Sequence, residues 1–438
     1  MKANVDALLP DVRADLERLV RIPSVSAPSF DPAHVRASAE LTAELFEAEG
    51  LRTRLLEVGG AHPAVLATHP APAGAPTVLL YAHHDVQPPG DEALWSSPPF
   101  EPAERDGRLY ARGSADDKAG IAAHLCAVRA FDGAPPVGVT VFVEGEEETG
   151  SEHLAQFLAR YEEELRADVY VLADSANWRI GQPGITTSLR GLVDCVVEVR
   201  TLDHAVHSGM YGGPVPDALI ALSRLLATLH DERGLPAVPG RTHARPPMLD
   251  LPDDEFRHES GALDGVSFIG DGTITERLWS RPSISVLGID APSVDKASNQ
   301  LVPVARAKVS MRLAPGDDPS AALDALTKHL EANAPWGARV TVHRGAEGRP
   351  FAVGTSHRAF AVARAAMEEA WGCAPVDMGA GGTIPFVAAF AGAFPGSALL
   401  LTGVEDPDTR AHGENESLHI GEFARACLAE TLLLQNLA

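Results

Sequence analysis

Residues 5–21 and 33–50 place apolar side chains at three- and four-residue spacing and predict two amphipathic helices, the second closed by Gly50 just past its end. Short, almost wholly apolar runs follow at 77–82, 137–144 and 168–173 and predict strands; 118–131 and 152–165, between them, predict helices. Strands alternating with helices imply a mostly parallel sheet covered by helices on both faces, so the expected fold class is α/β.

Near Leu189 the pattern changes. Residues 192–201 alternate as a long strand, 216–230 predict a helix, and a Pro- and charge-rich stretch over 231–264 has no clear period. Strands are predicted at 283–289, 304–313 and 339–343, with a helix at 319–334. This order suits a small α+β unit with an antiparallel, ferredoxin-like sheet. From His357 the earlier style returns, with a helix to Trp371, an Ala/Gly-rich loop, a strand at 398–402 and a helix at 420–437. The simplest organisation is one α/β domain built from residues 1–188 and 351–438, with 189–350 inserted as a second domain. A chain of 438 residues has the length for two or three domains.

Composition narrows the partners. Lys and Arg number 36 against 60 Asp and Glu, a formal charge of −24, so the clustered cations that bind nucleic acid or an anionic membrane are not expected. Four cysteines (Cys126, Cys195, Cys373, Cys427) lie far apart with no Cys-x-x-Cys pair, which fits a reducing compartment and excludes a zinc ribbon. The N-terminal segment carries charges every few residues and shows no apolar signal-peptide region. Residues 386–404 lack charge, but Phe394-Pro395-Gly396-Ser397 breaks them into a short helix, a turn and a strand rather than a membrane span. A cytoplasmic location is expected.

Five segments carry candidate chemistry, and four follow a predicted strand. In parallel α/β sheets ligands bind outside the carboxyl ends of strands. The first is Tyr81-Ala82-His83-His84-Asp85, where His83 suits a metal ligand and Asp85 can orient its imidazole; alone it reads equally as a surface loop. The second, Arg112-Gly113-Ser114-Ala115-Asp116-Asp117-Lys118, has two acids that could also be helix-cap charges. The third, Glu144-Gly145-Glu146-Glu147-Glu148, would repel itself unless solvated or compensated by a cation. The fourth is Asp174, and the fifth is His412-Gly413-Glu414-Asn415-Glu416. Histidines and carboxylates converging on one sheet edge suit Zn²⁺, Mn²⁺ or Co²⁺.

In this order and spacing the five segments resemble the M20 metallopeptidase family, which includes carnosinase-type dipeptidases and N-deacylating enzymes such as acetylornithine deacetylase and succinyl-diaminopimelate desuccinylase; the similarity spans essentially the whole chain. The resemblance implies two divalent metal ions per chain, with zinc preferred and manganese or cobalt as alternatives. His83 and Asp174 would bind one ion, Glu148 and His412 the other, and Asp116 both, with a cis peptide between Asp116 and Asp117. Glu147 would be the general base that activates a bridging water. It lies beside a ligand because neighbouring residues of an extended chain point opposite ways. His207, before Ser208-Gly209, resembles a histidine that reaches across a homodimer and stabilises the oxyanion; Arg312 matches an arginine that grips a substrate carboxylate. Asn299 and the glycine loop at Gly382 and Thr383 would contact substrate. Gly379-Ala380 stands where the carnosinase branch often has Arg-Glu, so the resemblance does not extend to carnosinase's own substrate.

The implied activity is hydrolysis of the amide bond of dipeptides or short peptides, with an N-acyl-amino-acid deacylase as the alternative. Asp rather than Glu at position 174 favours the peptidase. A metal-free binding protein is the other class, and the filled ligand positions oppose it. His84, His204 and His419 fall off the matching positions and read as structural or solvent-exposed.

Overall fold

The computed structural model describes residues 1–382 and 384–438. The chain forms two compact units: one from Met1–Thr187, Val353–Met378 and Pro385–Ala438, the other from Ser188–Ala352 with Gly379–Ile384.

The first unit is an α/β sandwich. Its sheet runs in the order Arg52–Leu56, Ala64–His69, Gly138–Glu144, Thr77–His83, Val169–Leu172, Ala398–Leu401 and Gly184–Leu189. The four middle strands are parallel and the flanking ones antiparallel. Gly138–Glu144, Val169–Leu172 and Ala398–Leu401 are buried along their whole length, which explains their continuous apolar runs. On one face Val78, Leu80 and Ala82 join a core with side chains from the helices Lys2–Val20, Lys118–Arg129, Arg358–Trp371 and Ile420–Leu437. On the other, Tyr81 meets Phe386 and Phe390 at ring-centroid distances of 4.2 and 5.5 Å.

The second unit has an antiparallel sheet in the order Ser283–Asp290, Val304–Leu313, Gly191–Arg200, Arg339–Gly348. The helices Ala218–Ala227 and Pro319–Ala332 contribute Leu222, Leu225, Leu323 and Leu326 to its core. With one helix after the first strand and one before the last, this is the βαββαβ order of a ferredoxin-like fold.

Several elements depart from the hydrophobic pattern for local reasons. Leu154–Arg160 and Glu162–Leu165 replace the single helix predicted over 152–165, because Tyr161 leaves helical geometry at φ −115°. The stretch without a period holds the helix Asp253–Ser260, and Ile274–Trp279 follows it; the first buries no residue, so it had no apolar stripe to read. Residues 386–404 contain the helix Pro385–Ala393 and the strand Ala398–Leu401, separated by a turn with Gly396 at φ 101°. Among the described residues no helix is long and apolar enough to cross a membrane.

Candidate metal centre

The side chains singled out in the first unit gather at the carboxyl ends of its parallel strands. His83 is the last residue of Thr77–His83, Glu147 and Glu148 follow Gly138–Glu144, Asp174 follows Val169–Leu172, and His412 lies in the loop after Ala398–Leu401. Asp116 and Asp117, joined by a cis peptide, lead into the helix Lys118–Arg129. Glu147 and Glu148 are not in extended chain as the sequence reading supposes. They open a 3₁₀ turn, Glu147–Thr149, whose tight winding separates consecutive side chains by about a third of a turn.

Potential ligand atoms form two groups that share Asp116. His83, Asp116 and Asp174 make one; Asp116, Glu148 and His412 make the other, with the atoms of each group within 4.8 Å of one another. His83 Nε2 lies 3.0 Å from Asp116 Oδ1 and 4.0 Å from Asp174 Oδ2. His412 Nε2 lies 3.0 Å from the other Asp116 oxygen, Oδ2, and 3.2 Å from Glu148 Oε2. Each oxygen of Asp116 therefore faces a different imidazole.

A shell of hydrogen bonds fixes this arrangement. The sequence reading gives the Asp85 carboxylate to His83, but His83 Nδ1 sits closer to the Asp85 main-chain carbonyl, 3.0 Å against 3.4 Å for Oδ1. Besides that contact the carboxylate accepts from Ser26 Oγ at 2.6 Å and from the main-chain N–H groups of Glu147 and Glu148 at 3.3 and 3.1 Å. Asp85 thus also sets the turn that carries the two glutamates. Gln87 donates to Glu148 through its main-chain N–H at 3.0 Å and its side-chain amide at 2.8 Å.

Glu416 is a functional residue that motif reasoning quoted and left without a role. Fully buried, its carboxylate accepts from the N–H groups of Gly113, Ala115 and Asp116 and from Arg112 Nη1 at 2.7 Å, and so holds the loop that presents Asp116. Its signal was an acid at the end of His412–Glu416 with no partner nearby in sequence. His84 is buried, not exposed; its Nε2 lies 2.8 Å from the Pro63 carbonyl, and burial pushes its pKa down to about 4. His419 caps the last helix, accepting from the Glu422 N–H, and His204 is exposed beside Asp203.

The electrostatics test whether cations fit. Burial, reinforced by the charges of Asp116 and Glu148, pushes Asp174 up to about 7. Glu147 is driven well above the carboxylate range by burial and by Asp174, and Glu405 by burial, Asp116 and Asp174. Burial also opposes ionisation of Asp116, but bonds to His412 and His83 outweigh it and hold its pKa low. His412, bonded to Asp116 and Glu148, is raised to about 11. Without positive charge the carboxylates suppress one another and keep the imidazoles protonated. Two imidazole nitrogens and three carboxylates, divided into two sets around one shared acid, fit a pair of borderline divalent ions.

The other singled-out residues lie in the second unit. His207 ends the short strand Val206–His207, is exposed, and accepts from the Gly209 N–H at 3.0 Å. Asn299 is exposed, and its carbonyl accepts from the Ser208 N–H at 2.9 Å. Arg312 is half-buried on Val304–Leu313, and Gly382 is exposed. Thr383 lies outside the described residues.

An α/β sheet whose strand ends gather two acid–imidazole groups around a common aspartate has the donor set of a dinuclear metallohydrolase. The chain belongs to peptidase family M20/M25/M40, whose model matches residues 79–436. It is 34% identical over 416 residues to a cysteinylglycine-S-conjugate dipeptidase of Corynebacterium striatum, covering 93% of this chain and 91% of that protein. The fold resembles that of the di-peptidase Dug1p from Saccharomyces cerevisiae, with a TM-score of 0.83 at 23% identity over 100% of this chain and 97% of the other. It also resembles human carnosine dipeptidase 1, with a TM-score of 0.79 at 25% identity over 100% and 99%.

Proposed function

We propose that this enzyme hydrolyses the peptide bond of dipeptides at a dinuclear metal centre. The observation that carries the reading is the division of the Asp116 oxygens between His83 and His412, 3.0 Å on either side. His83 and Asp174 would hold one ion, Glu148 and His412 the other, and Asp116 would serve both. Two divalent ions there would polarise the scissile carbonyl and lower the pKa of a water. Glu147 takes the proton of the attacking water and delivers it to the leaving amine. The Asp85 carboxylate keeps the Glu147 and Glu148 main chain in place.

Arg312 takes the substrate carboxylate through its planar fork, and Asn299, Gly382 and Thr383 contact the substrate. His207 stabilises the oxyanion of the partner subunit's substrate in a homodimer formed through the inserted domain, residues 189–350, which also serves as a lid. Zinc is the preferred metal, and the enzyme works in the cytoplasm.

The relatives named above as dipeptidases, together with Asp at position 174, favour a dipeptide over an N-acyl amino acid. Hydrolysis of a dipeptide panel beside N-acetyl and N-succinyl amino acids tests this. Dipeptides are expected to give the higher kcat/KM, and a preference for the acylated set would replace the reading with a deacylase.

A further inference from the structure

Arg190 opens the strand Gly191–Arg200 and is only 8% exposed, yet its donors reach three separate segments of the second unit. Its main-chain N–H donates to the Ala380 carbonyl at 3.1 Å and its Nε to the next carbonyl, Gly381, at 3.2 Å. Nη1 donates to Ser283 Oγ at 3.1 Å and, at longer range, to the Arg277 and Arg281 carbonyls at 3.4 and 3.5 Å. One side chain therefore ties the glycine loop to the end of the helix Ile274–Trp279 and to the start of the strand Ser283–Asp290.

Two strands flank Arg312. Ser283 pairs with Arg312 across one strand boundary, and Leu192, two residues beyond Arg190, pairs with it across the other. The two guanidinium groups are close enough that Arg312, after burial, helps lower the pKa of Arg190 to about 10. The loop approaches so nearly because it lacks side chains. A Cβ on Gly381 would meet Arg190 Nη2 at 3.0 Å and the Leu278 carbonyl at 3.4 Å, and one on Gly379 would meet Trp279 Cβ at 2.6 Å. Lysine could not replace this grip, because its single ammonium cannot span carbonyls and a hydroxyl held apart by a guanidinium fork.

We propose that Arg190 is a positioning residue for recognition of the substrate carboxylate: by holding the 380 and 381 carbonyls and Ser283 together, it fixes the glycine loop in register with Arg312. The inference rests on the reading of Arg312 as the carboxylate-binding group. It assigns Arg190 no contact with substrate.

The test uses the full-length, metal-loaded enzyme with a dipeptide substrate, and compares inhibition by the C-terminal product amino acid with inhibition by its amide. Arg190→Lys and, separately, Gly381→Ala, which keeps the arginine but displaces the loop, are compared with Arg312→Gln. Both are expected to raise KM and the Ki of the amino acid about tenfold, with kcat within about threefold of wild type and the amide Ki raised far less than that of the acid. Metal content and Tm are expected to stay near wild type; if Arg190→Lys fails to fold, Gly381→Ala carries the test alone. If Arg312→Gln weakens the amino acid selectively while the other two variants match wild type, the positioning role is overturned and the Arg312 reading stands. A loss of kcat with equal weakening of acid and amide would also overturn it, as a general structural defect. If Arg312→Gln leaves the acid-to-amide ratio unchanged, the carboxylate reading falls and takes this proposal with it.

Discussion

The two units carry their candidate residues in opposite ways. In the first, His83, Asp85 and Asp116 are buried at strand ends and in a loop held by Glu416, and the Asp85 carboxylate accepts from three donors. In the second, His207, Asn299 and Gly382 are exposed, and His207 and Asn299 bond to neighbouring main chain. Burial makes the first set expensive without a counter-charge and therefore selective for cations; exposure leaves the second set free to meet a substrate or another subunit. In the proposed reading, reaction chemistry is built into the packed sheet, with His412 its exposed member, and recognition falls to the exposed residues and the half-buried Arg312.

The sharpest way to separate the two sets is to remove one member of each. Glu147→Gln is expected to lower kcat by about 10²–10⁴ with metal content unchanged, because it deletes the proton carrier and keeps the shape. Near-normal turnover would remove Glu147 from the mechanism. His207→Ala is expected to cost about 10²–10³ in kcat, the loss of one oxyanion donor, with metal content and Tm unchanged. Mixing it with the Glu147→Gln chain should restore activity if His207 acts across a dimer. Activity that never exceeds the sum of the two inactive preparations would contradict that arrangement.

Metal removal should expose the crowding in the first unit as a pH dependence. The metal-free folded chain holds a proton on Asp174 between the ordinary 3.8 and about 7, and one on His412 between 6.5 and about 11. The unfolded chain does not, so the folded state binds more protons and loses stability as pH rises through both windows. Metal binding requires an ionised Asp174 and a neutral His412, so the Tm gained on adding metal should grow from pH 5 to pH 8. A gain that shrinks over that range would contradict the assignment. The smallest effect is expected from Ser26→Ala, which removes the 2.6 Å bond to Asp85 and should destabilise by about 1–2 kcal/mol in denaturant unfolding. No measurable change would mean that the remaining donors suffice.

The sequence made the first unit's strands and ligands legible for one physical reason. A fully buried parallel strand is an uninterrupted apolar run, so a polar residue at its end, as at His83 or Asp174, stands out. The edge strand Arg52–Leu56 hid because its two exposed residues are both arginines and only Leu56 is buried. The 3₁₀ turn at Glu147 was not visible because three consecutive glutamates carry no periodicity. Glu416 and Arg190 escaped for another reason. Their work is done on main-chain groups distant in sequence, and no spacing of side chains announces such partners.

The central claim is that Asp116 serves two ions at once. Metal stoichiometry after gentle purification, compared between the wild type, Glu148→Ala and Asp116→Ala, tests it directly. The account predicts two divalent ions per chain in the wild type, one in Glu148→Ala and fewer than one in Asp116→Ala, with all three chains folded. One ion in the wild type, or two retained without the Asp116 carboxylate, would contradict it.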